Sequence, residues 1–135
     1  GEYDGFMLAD DYAHHPTEIK ATLSAAKELN YNNVIAVFQP FTFSRTALLK
    51  DDFIKALSIA DKVILTPIMG SREKNTYGIK SEDLAAGLHD VCIVDGFENI
   101  ADKIEETARP GDLVITMGGG DIYKAAHIIQ RRHAE

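Results

Sequence analysis

Apolar residues are concentrated in five short runs, and each run is followed by a segment in which apolar residues recur at helical spacing. The runs are rich in β-branched residues and lack the strict alternation of a half-exposed strand, so they predict strands that are buried on both faces. The predicted strands lie at 6–9, 34–38, 63–65, 91–94 and 113–117. The predicted helices lie near 17–29, 45–60, 81–88, 98–108 and 121–132.

Strands that alternate with single helices indicate a parallel sheet covered by helices on both sides. Since crossovers between parallel strands are right-handed, this order predicts a doubly wound, Rossmann-like α/β fold with a mostly parallel sheet of about five to six strands. We assign 6–135 to one domain and interpret residues 1–5 as the remnant of an interdomain connection that carries an edge strand. The chain does not begin with Met, which we expect of a fragment of a longer protein.

Composition excludes several classes of partner. The 14 Lys and Arg residues are outnumbered by 21 acidic residues, and no basic run occurs, so nucleic acid and anionic membranes are poor partners. No apolar run is long enough to span a bilayer. The single cysteine, Cys92, lies in an apolar run and is interpreted as a small core residue. A reducing cytoplasm is therefore the expected location.

The sequence DDYAHHPTE at residues 10–18 lies between the first predicted strand and the first predicted helix, with Pro16 or Thr17 as the helix start signal. In an open α/β sheet such turns lie at the carboxyl ends of the strands, where ligands bind. The titratable groups of this segment therefore indicate a catalytic or ligand-binding role. The alternative is that Asp10, Asp11 and Thr17 only cap the helix and that the histidines are solvated.

The second loop, QPFTFSRT at residues 39–46, places Arg45 at the predicted start of a helix. Arginine is unfavourable at a helix start because the helix dipole is positive there. A carboxylate or phosphate bound close by would explain its presence, and the guanidinium suits bidentate contact with either group. The alternative is an exposed arginine paired with Asp51 or Asp52.

Two further loops reach the same edge of the predicted sheet. The loop at 66–80 contains Arg72, Glu73 and Lys74, which we interpret as solvated. The loop after the last strand contains the triple glycine 118–120 followed by Asp121. Its backbone N–H groups would approach an anion at the start of the last helix. The alternative is a tight turn before a helix capped by Asp121.

Several known motifs are absent from the sequence. The triple glycine is not the dinucleotide fingerprint, because Tyr123 stands where the third glycine would be needed. His14, His15 and Glu18 do not have the helical H-E-x-x-H spacing and lack an evident third ligand, so no protein-bound metal is expected. No G-x-x-x-x-G-K-[ST] loop occurs, so another part of the polypeptide would have to hold most of any ATP.

The motifs DDYAHHPTE, VFQPFTFSRT, SREKN and GDLVITMGGGDI together resemble the C-terminal domain of the Mur ligases, over nearly the whole chain. Within that family they are most similar to the member that joins L-alanine to UDP-N-acetylmuramate. The resemblance implies a cytoplasmic three-domain enzyme of peptidoglycan precursor synthesis. Its N-terminal domain binds the UDP-sugar, its central domain binds ATP and Mg²⁺, and its C-terminal domain closes over both. ATP phosphorylates the muramyl carboxylate, and the amine of L-alanine attacks the acyl phosphate.

The resemblance also implies roles for individual residues. Asp11 and Tyr12 would line the ATP side of the cleft, Tyr12 would also contact substrate, and His14 and Asp11 would be the catalytic residues. His14 would approach the incoming amine or the acyl phosphate, and Arg45 would hold the alanine carboxylate. The substrate end would be bordered by four residues of the glycine loop, Gly118, Gly119, Gly120 and Asp121. This domain alone would be inactive.

The chain departs from the family pattern at two places. Phe41 stands where the family usually has His, and TPIMG at 66–70 replaces a more acidic, aromatic segment. A sibling ligase that attaches a preformed murein tripeptide during recycling is the nearest alternative, although Tyr12 and Glu18 favour the alanine enzyme. A phosphoacceptor receiver domain is a more distant alternative. It needs an aspartate after the third strand and a lysine after the fifth, where this chain has Thr66-Pro67 and Met117-Gly118.

Overall fold

The computed structural model describes residues 1–134 and contains six strands and six helices. The strands are β1 (Glu2–Tyr3), β2 (Phe6–Asp11), β3 (Val34–Phe38), β4 (Lys62–Leu65), β5 (Val91–Ile93) and β6 (Leu113–Met117). The helices are α1 (Pro16–Lys27), α2 (Phe43–Leu48), α3 (Lys50–Leu57), α4 (Ser81–Ala85), α5 (Phe97–Thr107) and α6 (Tyr123–Arg132).

The strands form one six-stranded sheet in the order β1-β2-β6-β3-β4-β5. All neighbouring pairs are parallel except the short edge strand β1, which pairs antiparallel with β2. The predicted doubly wound, mostly parallel α/β fold is therefore confirmed. Residues 2–3 form the expected edge strand of the sheet. The domain boundary between residues 5 and 6 stays a prediction.

Strand register aligns the carboxyl ends of the central strands. Met117 is opposite both Asp11 and Phe38, and Phe38 is opposite Leu65. Four consecutive neighbours in the sheet therefore end at the same level, and the loops that follow them begin side by side. This edge of the sheet is where an open α/β fold binds ligands.

Alternate residues of the central strands contribute to two separate cores, one on each face of the sheet. Val34, Ala36 and Phe38 pack with α1, α3 and α4 on one face, whereas Ile35 and Val37 pack with α5 and α6 on the other. Cys92 is half-buried against the second core, and burial raises the pKa of its thiol, as expected of a packing residue. Among residues 1–134, no helix is both long and apolar enough to cross a membrane.

Several of the predicted elements differ from the structure in their bounds. The single helix at 45–60 is two helices separated at Leu49, whose backbone is not helical (φ −109°, ψ 17°). The first strand continues through Asp11 instead of ending at residue 9. Two helices are shorter than predicted: α4 ends at Ala85 instead of residue 88, and α6 begins at Tyr123 instead of residue 121.

Candidate functional site

Four loops meet at the carboxyl edge of the sheet, following β2, β3, β4 and β6. The glycine loop lies at their centre: a Cβ at Gly119 would be 3.2 Å from the His14 ring, and one at Gly120 would be 2.6 Å from the Met69 sulfur. Glycine at these two positions therefore lets neighbouring loops approach the backbone closely. The structure thus brings most of the predicted site residues to one edge.

The two acids of the first motif are the last residues of β2, not part of the turn as predicted, and neither caps the helix. The Asp10 carboxylate accepts a hydrogen bond from the Thr116 hydroxyl at 2.6 Å. The Asp11 carboxylate accepts one from the Ala13 backbone N–H at 2.8 Å and one from the Thr22 hydroxyl at 3.0 Å. Both side chains are therefore held in fixed positions by internal partners.

The cap of α1 is made by His15 and Glu18, with Pro16 at the first helical position as predicted. The His15 Nδ1 atom accepts a hydrogen bond from the Thr17 backbone N–H, and the Glu18 carboxylate accepts from the backbone N–H groups of His14 and His15. These bonds lower the pKa of Glu18. His15 therefore has a structural role that the expectation of Asp10, Asp11 or Thr17 as caps did not foresee.

The His14 side chain occupies the centre of the first loop. Its Nδ1 atom lies 2.9 Å from the Tyr12 carbonyl oxygen, which can only accept, so the network assigns a proton to Nδ1. In the neutral ring, Nε2 then carries the lone pair and can accept a proton or a hydrogen bond. The Glu18 carboxylate lies 3.6 Å from Nδ1, and the Tyr12 ring packs edge-on at 5.2 Å between ring centres. The Tyr12 side chain is 68% exposed.

Arg45 lies in the first turn of α2, as predicted. The turn is set by Thr42, which has a left-handed backbone (φ 65°) and whose hydroxyl accepts a hydrogen bond from the Arg45 backbone N–H. The Arg45 side chain is half-buried, and its guanidinium has no hydrogen bond or ion pair within the part of the chain described. Asp51 and Asp52 lie on α3 and do not pair with it, which removes the alternative explanation for this arginine.

The 66–80 loop is attached to the segment that carries Arg45. Met69 forms a parallel bridge with Phe41, so the two departures from the family pattern are neighbours in space. The Glu73 carboxylate accepts hydrogen bonds from Ser44, at 3.0 Å from its backbone N–H and 2.5 Å from its hydroxyl. Arg72, Glu73 and Lys74 are all exposed, as predicted, but the Glu73 carboxylate is also hydrogen-bonded, which the sequence did not indicate.

Gln39 is a site residue that the sequence analysis missed. Its side chain is only 6% exposed, and its carboxamide oxygen accepts from the backbone N–H groups of Asp121 and Ile122 at 3.0 and 3.1 Å. Its Nε2 atom donates to the Asp121 carboxylate at 2.9 Å. The one signal in the sequence is a Gln directly after a wholly apolar strand, where a buried polar group needs a partner.

The Gln39 contacts reduce the number of backbone N–H groups that the glycine loop can offer to an anion. The N–H groups of Asp121 and Ile122 are already used, and Asp121 precedes α6 without capping it by its side chain. The backbone N–H groups of residues 118–120 have no internal acceptor within residues 1–134. Any anion contact by this loop is therefore limited to those three amides. Residues 1–134 also contain no cluster of three His, Cys, Asp or Glu side chains that could hold a metal ion.

Comparisons with known proteins identify relatives whose sequences align with nearly all of this chain. The family profile described as "Mur ligase, glutamate ligase domain" matches residues 1–120. The UDP-N-acetylmuramate–L-alanine ligase of Caldicellulosiruptor saccharolyticus is 50% identical over 133 residues, which cover 96% of this chain and 29% of that enzyme. The chain therefore spans less than a third of the length of this curated relative.

Two solved structures have the same architecture. The UDP-N-acetylmuramate–alanine ligase of Thermotoga maritima superposes with a TM-score of 0.72 at 25% identity, over 96% of this chain and 27% of that one. A murein peptide ligase from Psychrobacter arcticus superposes with a TM-score of 0.76 at 21% identity, over 97% of this chain and 28% of that one. The fold therefore does not distinguish a UDP-N-acetylmuramate–alanine ligase from a murein peptide ligase.

Proposed function

Because this chain belongs to the Mur ligase family, of which it is the C-terminal ligase domain, we propose that it forms the amino-acid side of the active site in an enzyme that joins L-alanine to UDP-N-acetylmuramate. The observation that carries this proposal is the 50% identity, across nearly the whole chain, to an L-alanine ligase. The reaction is an ATP-dependent amide formation in peptidoglycan precursor synthesis.

Arg45 binds the carboxylate of the incoming L-alanine. Its support is the half-buried guanidinium, which has no hydrogen-bond or ion-pair partner in residues 1–134. Such a group is poised for a bidentate carboxylate. The first turn of α2 fixes the backbone at Arg45. A substrate carboxylate bound to the Arg45 guanidinium therefore takes one position, which holds the substrate amine in place for attack.

His14 accepts a proton from the attacking amine of L-alanine. Its Nδ1 proton is engaged by the Tyr12 carbonyl, which leaves Nε2 to accept a proton or a hydrogen bond. Gly119 lies so close to this ring that a Cβ there would be 3.2 Å from it. We propose that the alanine nitrogen bonds to the carbonyl carbon of the acyl phosphate, that the C–O bond to phosphate breaks with release of inorganic phosphate, and that Nε2 takes up the proton lost by the nitrogen. Asp11 supports this catalytic role by fixing the backbone at Ala13, next to His14.

The residues of this chain suit one wall of an ATP cleft and not a complete nucleotide site. The exposed Tyr12 ring offers an apolar face to a base, and Asp11 lies beside it at the end of β2. ATP supplies the phosphoryl group that activates the carboxylate to be joined. The phosphates and Mg²⁺ would be held mainly by the central domain of the same polypeptide, because no phosphate-binding loop is present in this sequence.

The remaining substrate contacts are assigned to Gly118, Gly119, Gly120 and Asp121, with the three glycine amides as the donors left free in residues 1–134. Closure of the N-terminal and central domains over this edge would exclude water from the reactive acyl phosphate. This chain alone would therefore form no amide. The receiver-domain alternative has no support, since the family profile covers residues 1–120.

The test is amide formation by the full-length polypeptide that carries this chain, supplied with ATP, Mg²⁺ and UDP-N-acetylmuramate. One reaction receives L-alanine and the other the murein tripeptide, and the products are identified by mass. Product with L-alanine is expected. Product only with the tripeptide would assign the protein to the recycling enzyme, and product with neither would reject the proposed function.

A further inference from the structure

The 66–80 loop is joined to the α2 segment by two independent attachments. The first is backbone pairing, in which the Met69 N–H donates to the Pro40 carbonyl and the Thr42 N–H donates to the Met69 carbonyl, both at 2.8 Å. The second is the Glu73 carboxylate, whose two oxygens accept separately from the backbone N–H and the hydroxyl of Ser44. The loop therefore holds the residues on both sides of the helix start.

Ser44 is the residue immediately before Arg45. The Glu73 carboxylate thus lies at the first turn of α2 and places a negative charge where the helix dipole and the arginine are both positive. Glu73 does not pair with the guanidinium, which stays without a partner within the described residues. The hydrogen bonds from Ser44 lower the pKa of Glu73, so its carboxyl group is charged at neutral pH.

We propose that Glu73 is a positioning residue for the amino-acid substrate: by binding Ser44 it fixes the first turn of α2 and thereby the direction of the Arg45 guanidinium. The inference rests on the proposed function of Arg45. The carboxylate of the substrate then binds to an arginine that is already oriented, without paying the entropy of ordering it. Glu73 contributes to amino-acid affinity without contacting the amino acid.

The experiment compares the full-length wild-type enzyme with Glu73→Gln, Ser44→Ala and the double variant. Glu82→Gln is the matched control, because Glu82 is exposed and its carboxylate has no hydrogen bond within residues 1–134. Apparent KM is measured for L-alanine, ATP and UDP-N-acetylmuramate, together with kcat. Hydrogen exchange of the peptide that contains residues 43–48 is measured by mass spectrometry in the absence of substrates.

The Glu73→Gln substitution is expected to raise the apparent KM for L-alanine about three- to tenfold, the net loss typical of one hydrogen bond in a protein. Its kcat and the other two KM values stay within about twofold of wild type. The double variant is no worse than Glu73→Gln, because both changes remove the same contact. Exchange of the 43–48 peptide becomes faster in Glu73→Gln and stays unchanged in Glu82→Gln.

An unchanged KM for L-alanine, or an equal loss in all three KM values and kcat, would overturn the proposal, as would unchanged exchange of the 43–48 peptide. A wild-type enzyme that forms no amide with L-alanine would instead refute the proposed function. The exchange measurement does not depend on the substrate, so it still decides whether Glu73 fixes the α2 turn.

Discussion

The carboxamide oxygen of Gln39 lies 3.0 Å from the backbone nitrogen of Asp121, and this contact joins the end of β3 to the start of the last helix. The same oxygen also accepts from Ile122, so one side chain satisfies two N–H groups that the helix cannot pair internally. The glycine loop between β6 and α6 is thereby fixed at the edge where the other loops meet.

Replacing Gln39 by Leu is expected to destabilise the chain by about 2–3 kcal/mol, because the N–H groups of Asp121 and Ile122 lose their acceptor while remaining inside the protein. Urea denaturation followed by circular dichroism measures the change. Gln130→Leu is the control, since Gln130 is exposed on α6. Equal stability of Gln39→Leu and wild type would show that water replaces the lost acceptor.

The neighbouring glycines are expected to respond differently to alanine. A Cβ at Gly120 would lie 2.7 Å from the Gln39 oxygen, which its hydrogen bonds hold in place, so Gly120→Ala is expected to cost about 1–3 kcal/mol. The nearest atoms to a Cβ at Gly119 belong to the His14 side chain, the closest being a ring carbon at 3.2 Å. Gly119→Ala should therefore retain stability in denaturation and lower kcat of the full-length enzyme by displacing His14.

The opposite order of effects would contradict this arrangement. If Gly119→Ala unfolded the chain more readily than Gly120→Ala, the Gln39 contact would not be the constraint that fixes the loop. If Gly119→Ala left kcat unchanged, the position of the His14 ring would not matter for the reaction.

Much of the fold follows directly from the sequence. The bounds of β3 and β6 are predicted at both ends, since β3 is wholly apolar, β6 is apolar apart from Thr116, and polar or turn residues lie on either side of each strand. The break at Leu49 is not predictable by periodicity, because apolar residues continue through it at helical spacing. The site is predicted less completely, since the contact between Glu73 and Ser44 joins the 66–80 loop to the first turn of α2 and has no signature in local spacing.

The cap of α1 predicts a dependence of stability on pH. The folded state lowers the pKa of Glu18 from its ordinary value of 4.5, chiefly through the hydrogen bond from the His14 N–H. A lowered pKa in the folded state means that the stabilisation is complete above the unfolded pKa and is lost as pH falls through the folded pKa. Glu18→Gln should therefore lower Tm near neutral pH.

The difference in Tm between wild type and Glu18→Gln should shrink as the solution is acidified from about pH 7 to about pH 3. Thermal unfolding at several pH values measures it. Glu28→Gln, at the exposed C-terminal end of the same helix, should show no such trend, because its carboxylate has no hydrogen bond within residues 1–134. A constant difference for Glu18→Gln would mean that the carboxylate does not cap the helix.

The central claim is that the Arg45 guanidinium receives the carboxylate of the amino acid to be joined. The most direct test compares L-alanine with L-alaninamide, which lacks that charge, in the full-length wild-type enzyme, Arg45→Ala and the exposed control Arg72→Ala. Wild type and Arg72→Ala should prefer L-alanine by about 30- to 100-fold in kcat/KM, and Arg45→Ala should use both substrates about equally well. An Arg45→Ala enzyme that retains the wild-type preference would contradict the claim.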